Sequence, residues 1–166
     1  MRTFTEEEEI AYRKQLPRKV ISAGILLFNQ KGELLIVKPN YRPHWLIVGG
    51  VIDEGEAPIL GLQREIKEET GLTVTNLKCV IIDNMTINAF GKYQYDHLEF
   101  IFVADALTLE QTQNISLDEM ELIEHQFLPF QQALNLLKDK MRYKIEQLKG
   151  NFEQLLFLKN GEIIQP

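Results

Sequence analysis

Apolar and polar positions along the chain change rhythm several times, and each change predicts an element. "KVISAGILLFN" and "ELLIVKP" are rich in β-branched and apolar residues and flank a turn at Gln30-Lys31-Gly32, which predicts a hairpin. "HWLIV" predicts a third short strand, broken by Gly49-Gly50. From Pro58 the period lengthens: Ile59, Leu62 and Ile66 follow i, i+3, i+7, the apolar stripe of a helix that stops at Gly71. "LTVTNLKCVIIDNMTI" reads as mostly strand, with a break near Thr75-Asn76, and "AFGKY" as a hairpin loop. "YQYDHLEFIFVADA" then alternates most clearly, with Leu98, Phe100 and Phe102 on one face and His97, Glu99 and Ile101 on the other.

Weaker patterns flank this centre. Thr5 and Glu8 form a capping-box pair, so a short helix over 6–15 is expected, ended by Pro17. One more strand is expected near 121–128. Pro129 then opens a helix, "FQQALNLLKDKM", with Leu134, Leu137 and Met141 at helical spacing. The tail "NFEQLLFLKNGEIIQP" fits either a helical turn or a hairpin about Asn160-Gly161. Strands on both sides of one strong helix, with a second helix later, predict an α/β or α+β domain with a mixed sheet. A single domain over 1–166 is expected, with an N-terminal helix (1–17), a core (18–140) and a C-terminal extension (141–166).

The helix of the central segment carries unusual charge. Glu65, Glu68 and Glu69 stand at i, i+3 and i+4 and share one face. Glu-rich faces are commonly just solvated, but here Lys67 points away from the acids and Arg64 sits at their edge. Like charges at this spacing cost a few tenths of a kcal/mol per pair, roughly. A divalent cation offsets such a cost, since hard carboxylate oxygens are the ligands that Mg²⁺ and Mn²⁺ prefer. Gly61, one turn before Glu65, reads either as a packing choice or as room for a ligand. Gly49 and Gly50 precede the helix and allow close backbone approach.

These residues carry a resemblance. Gly50, Glu56, Arg64, Glu65, Ile66, Glu68, Glu69, Gly71 and Leu72 fill every fixed position of the Nudix box, G-x5-E-x7-R-E-U-x-E-E-x-G-U, with U a bulky apolar residue. The box covers about a seventh of the chain, and weaker likeness extends from about Val20 to Lys138. One departure is Val48, where many members carry proline. The resemblance implies the Nudix fold, a curved mixed β-sheet sandwiched between helices. It implies a pyrophosphohydrolase using Mg²⁺ (or Mn²⁺) and cleaving a nucleoside diphosphate linked to another moiety. It assigns metal ligation to Glu65, Glu68 and Glu69, with the Gly49 carbonyl as a further ligand, and gives Arg64 the task of orienting the glutamates. Gly50, Glu56 and Gly71 are motif residues with structural roles, Glu56 bracing the loop–helix junction.

The general base varies in this family. Glu65 is one candidate. Glu99 is another, on the strand face opposite the apolar one, with Asp96 and Glu121 behind it. Lys38, Tyr41 and Arg42 precede the glycine pair and are candidates for meeting the substrate, or are a basic surface turn. Phe90, Tyr93 and Tyr95 are candidates to stack on a base or simply to pack. No proline stands near 86–90, so the mark of many ADP-ribose-cleaving members is absent, and the substrate stays open.

Composition narrows the classes. Apolar residues make up 45% and charged residues 25% of the 166, as in ordinary globular domains. No apolar run is long enough for a membrane span. The net charge of −6 argues against general nucleic-acid binding, which needs clustered Lys and Arg. The expected partner is a small nucleotide-type molecule, with a homodimer left open. Cys79 has no second cysteine for an internal disulfide, which fits a reducing cytoplasm. Two other classes compete with the hydrolase. A nucleotide-sensing module of the same fold would tend to have lost box glutamates, and all are present. An isoprenoid-diphosphate isomerase on a related fold would need a reactive cysteine, and Cys79 sits in the apolar run "LKCVII".

Overall fold

A computed structural model of the chain describes residues 4–164. The elements run α1 (Glu6–Lys14), β1 (Val20–Leu26), β2 (Glu33–Pro39), β3 (Val48–Val51), α2 (Pro58–Thr70), β4 (Lys78–Ala89), β5 (Tyr93–Val103), α3 (Leu109–Gln113), β6 (Leu122–Pro129), α4 (Phe130–Leu136), α5 (Asp139–Glu146), β7 (Leu156–Lys159) and β8 (Glu162–Ile163). Six strands form one mixed sheet in the order β3-β1-β5-β4-β7-β8, and β2 pairs with β6 in a second sheet. β1 runs parallel to β5 and β4 parallel to β7, while the other neighbours are antiparallel.

Two apolar cores lie on the two faces of the large sheet. On one face Ala23, Ile25, Val48 and Phe102 pack with Leu62 and Ile66 of α2. On the other, Leu26, Ile81 and Ile101 pack with Ala133 and Leu134 of α4 and Ile145 of α5. The alternation along β5 is therefore the origin of both cores, since Phe100 and Phe102 serve one and Ile101 the other. Helices cover both faces, and the mixed, helix-sandwiched sheet that the sequence implies is the observed architecture.

Several boundaries differ from the expectations. β1 and β2 do share a tight turn, with Leu35 N–H donating to the Leu27 carbonyl at 2.8 Å. Beyond it they part, β1 into the large sheet and β2 into the small one, because β2 finds its partner in β6. Gly49 and Gly50 do not break β3 but form its middle, paired with Gly24 and Ala23. The expected helix after Pro129 is two helices. Leu137 and Lys138 are extended between them, and the Trp45 N–H donates to the Leu136 carbonyl at 3.3 Å. Ile59 leaves the stripe and is 40% exposed, and the buried positions of α2 are Gly61, Leu62, Ile66, Glu69 and Thr70. The tail resolves into the hairpin reading. Residues beyond 141 are not peripheral, since Ile145, Leu148 and Leu158 are fully part of the second core. α1 has its capping box as expected and buries none of its residues.

Candidate active site

The glycine pair and the acidic helix explain each other. At Gly49, φ is +140°, and a Cβ would stand 2.2 Å from the Ala23 carbonyl oxygen on β1. At Gly50 a Cβ would lie 2.6 Å from the carboxylate of Glu65. Glycine here therefore lets α2 lay its acids directly against an edge strand. Glu69 lies alongside, 9% exposed, and its Oε2 accepts the Gly49 N–H at 2.9 Å. The helix is held in this pose by Leu62 and Ile66 below, and by Gly71, whose left-handed φ of 72° ends it. The Gly71 N–H donates to the Lys67 carbonyl, and Lys67 Nζ returns a bond of 2.7 Å to the Gly71 carbonyl.

Arg64 organises the acids. Its guanidinium donates to Glu56 (3.0 and 3.2 Å), Glu65 (2.8 Å) and Glu68 (3.0 Å), and Asp53 lies at 3.8 Å. Glu56 also accepts the Asp53 N–H at 3.3 Å, which ties it to the loop before α2. Gly61 turns out to serve this brace: a Cβ there would sit 2.6 Å from both Glu56 Oε2 and Ile52 Cδ1. The Arg64 hydrogen bond holds the Glu56 carboxyl below its ordinary range, and the bond to Glu56 in turn makes Arg64 hold its proton more tightly.

The carboxylates facing the glycines behave differently. Burial pushes Glu65 up, with Glu68 and Glu121 adding to the effect and Arg64 opposing it. Burial pushes Glu69 up to about 7, against the Gly49 bond, with Glu65, Glu121 and Asp118 contributing. Two acids from outside the box, Glu121 and Asp118, are thus near enough to act on Glu69 through their charge. The segment carrying them runs beside the end of α2, where Ser116 N–H donates to the Thr70 carbonyl (2.9 Å) and Asp118 N–H to the Glu69 carbonyl (3.3 Å). The sequence signal for it was the acidic run before β6, "LDEMELIE". Asp118 escaped notice because nothing in the sequence says that this run folds back along α2.

Glu99 is not brought to the site, and the expectation that it points there is corrected. On β5 it is in register with Ser22 and Asp83, on the face away from α2. There its Oε2 is bound by Lys144 of α5, which also pairs with Asp83 at 2.8 Å. A strand places alternate residues on opposite faces, and the face of Glu99 is the one that α5 covers. Asp96 is likewise taken, by Lys19 at 3.1 Å. Of the substrate-side candidates, Lys38 donates to the Pro43 carbonyl and stands 5.9 Å from the Trp45 ring, so it braces its own loop. Tyr41 and Arg42 are exposed and lie against each other, the guanidinium 5.4 Å from the ring. Their loop is tied to the Glu121 segment by Asn40, whose N–H donates to the Glu121 carbonyl (2.9 Å) and whose Nδ2 donates to the Met120 carbonyl (2.7 Å). Cys79 is half-buried, and burial pushes its thiol up to about 11, which makes it a poor nucleophile.

Among the described residues, no three acidic, histidine or cysteine side chains converge closely enough to clasp a metal as they stand. The reason is visible: Arg64 engages Glu65 and Glu68, and the Gly49 N–H engages Glu69. The donor set nonetheless suits a hard divalent cation. All its members are carboxylates, and those nearest the glycines are pushed up by burial and by one another, the state a cation relieves.

Comparisons with known proteins agree with this geometry. The NUDIX domain family model matches residues 18–148. The ADP-ribose pyrophosphatase of Bacillus subtilis (strain 168) is 26% identical over 148 residues, covering 84% of this chain and 77% of that protein. The RNA pyrophosphohydrolase of Vibrio atlanticus is 37% identical over 60 residues, which is 36% of this chain and only 35% of that protein. Among solved structures, the MutT protein of Methanosarcina mazei Go1 superposes with a TM-score of 0.63 at 23% identity, covering 80% of this chain and 94% of its own. The NUDIX domain of Shewanella oneidensis NrtR, complexed with ADP ribose, gives 0.67 at 18% identity, covering 88% and 97%. At such identities the two structures speak for the fold alone. The family model, however, spans well over half of the chain and contains the whole glycine–acid arrangement, so the chain belongs to the Nudix family.

Proposed function

We propose that the chain is a divalent-metal-dependent pyrophosphohydrolase acting on a nucleoside diphosphate linked to another group. The observation that carries this reading is the pair of α2 acids set against Gly49-Gly50, Glu65 and Glu69, with Glu68 held beside Glu65 by Arg64. Glu65, Glu68, Glu69 and the Gly49 carbonyl would hold Mg²⁺ or Mn²⁺, and Glu121 would complete the acidic wall. When bound, the cation neutralises phosphoryl charge and lowers the pKa of water. The chain's own residues do the rest. Arg64 holds the glutamates at fixed spacing. Glu65 takes the proton of the attacking water, since Glu99 is bound elsewhere. Exposed Tyr41 and Arg42, tied to the Glu121 segment, meet the substrate as it enters. The ADP-ribose pyrophosphatase relative supports a substrate of the ADP-ribose kind.

A phosphate-product screen with Mg²⁺ and Mn²⁺ over ADP-ribose, nucleotide sugars, dinucleotides and 5′-triphosphorylated RNA tests the reading. Turnover of at least one diphosphate-linked nucleotide is expected. Tight binding of every candidate with no product over hours would replace the hydrolase by a nucleotide-sensing module.

A further inference from the structure

Two stretches far apart in the chain hold the turn that carries Glu121. One is the end of α2. A helix leaves its last carbonyls without partners inside itself, and here the segment before β6 supplies them. Ser116 N–H donates to the Thr70 carbonyl at 2.9 Å and Asp118 N–H to the Glu69 carbonyl at 3.3 Å. The other is the end of β2. The pairing of β2 with β6 slips there, Lys38 facing Glu124 and Pro39 facing Leu122, so that Ile123 is the extra residue of a bulge. Pro39 has no N–H to offer. Asn40 supplies two donors instead: its backbone N–H reaches the Glu121 carbonyl (2.9 Å) and its side-chain Nδ2 the Met120 carbonyl (2.7 Å).

Between these fastenings the turn closes on itself. The Asp118 carbonyl accepts the N–H groups of Glu121 (3.0 Å) and Leu122 (2.8 Å), and Asp118 Oδ1 accepts that of Met120 (3.0 Å). Asp118 is thus occupied in shaping the turn. Glu121 is not. Its charge is felt by both Glu65 and Glu69, yet among the described residues its exposed carboxylate has no hydrogen-bond or ion-pair partner. The neighbouring box acids are all engaged, Glu56, Glu65 and Glu68 by Arg64 and Glu69 by the Gly49 N–H. A carboxylate without contacts of its own stands where its backbone puts it, and the carbonyls on both sides of this backbone step are held by Asn40.

We propose that Asn40 is a positioning residue of the acidic site: by clamping Met120 and Glu121 to the end of β2, it holds the Glu121 carboxylate where it joins Glu65, Glu68 and Glu69 around a divalent cation. This role rests on the reading of the chain as a metal-dependent hydrolase. Asn40 also begins the exposed Tyr41-Arg42 stretch, so one clamp fixes both the acid-bearing turn and the root of the substrate-side loop.

Mn²⁺ titration of the full chain without substrate, followed by the electron-spin-resonance signal of the free ion, tests this with a cycle of two substitutions. Asn40→Ala should weaken Mn²⁺ binding about tenfold, the lower end of what a residue orienting a metal ligand contributes to affinity. Glu121→Gln should weaken it at least as much. In the Glu121→Gln background, Asn40→Ala should change the affinity less than about twofold, because the carboxylate it places is gone. Asn40 is exposed and Asn40→Ala keeps the backbone bond, so the variant should fold, which a cooperative thermal melt checks. Parent-like Mn²⁺ affinity in Asn40→Ala, an equal loss in both backgrounds, or no Mn²⁺ binding by the parent chain would overturn the clamp. Failure of the hydrolase reading looks different. A parent chain that binds Mn²⁺ and shows this cycle, yet turns over no diphosphate-linked nucleotide, loses the hydrolase and keeps the clamp.

Discussion

Two clusters of acids, one on each side of the large sheet, are each gathered by a single cation side chain, and they are built for opposite ends. On the α2 side Arg64 spreads its fork over Glu56, Glu65 and Glu68, all at least partly open to solvent. On the other side Lys144, a compact point charge, is buried between Asp83 and Glu99. A planar guanidinium can hold several carboxylates at set spacings while leaving other lone pairs free. A buried ammonium cannot release its partners without leaving a charge stranded in the core. The first arrangement suits exchange with an arriving cation, and the second suits a fixed joint. The difference teaches that acids near one another are not evidence of a metal site until the cation already holding them, and its burial, are known.

The contrast can be broken most sharply by chelation. Excess EDTA should abolish turnover, while a thermal melt of the metal-free chain should still show a cooperative transition. Full turnover in chelator would dissolve the distinction. Next comes a reciprocal pair of substitutions. Glu65→Gln should lower kcat by about 10²–10⁴-fold, the contribution of a general base, with stability nearly unchanged. Glu99→Gln should leave kcat close to that of the parent and appear in urea melts. If Glu99→Gln instead removes the activity, the two clusters have been assigned the wrong way round. Lys144→Met should cost about 3–5 kcal/mol of stability, because it strands Asp83 in the core. A loss below about 1 kcal/mol would show that the pair is not the fixed joint described here.

The smallest effect sharpens the contrast through pH. Burial holds the His97 imidazole below its ordinary pKa, with Lys144 adding to this and Glu99 and Asp83 opposing it. Its ring also lies 2.6 Å from Ser22 Oγ. The unfolded chain therefore takes up this proton first. Stability from this residue is complete above about pH 6.5, the ordinary histidine value, and declines as pH falls below it. His97→Gln should flatten urea-melt stability between about pH 7 and 5. An unaltered slope would show that the residue titrates as if free.

The acidic site was far more legible in the sequence than the buried joint. Glu65, Glu68, Glu69, Arg64 and the glycines are close in the chain, so local spacing alone places them together. The box helix, the alternation of β5 and the capping box of α1 are local patterns of the same kind. Glu99 misled because alternation says which residues share a face but not which face the helix covers. Lys144 was invisible because its partners lie 45 and 61 positions away, brought near only by tertiary packing. The split of the helix after Pro129 depended on a contact with Trp45, equally remote.

The parallel pairing of β7 with β4 has a bearing on how the molecule is made. Ile81 waits for Leu156, and Asp83 for Leu158, across seventy-five positions of intervening chain. Everything the box needs, from β1 to β6, leaves the ribosome first. Until residues 156–161 follow, one side of β4 has no neighbour and Asp83 lacks the Gly161 N–H. An unpaired strand edge is a template for pairing with other chains. Nascent chains stalled between β6 and β7 are therefore expected to carry a folded acidic site beside an adhesive edge, which the β7–β8 hairpin covers once it has been made.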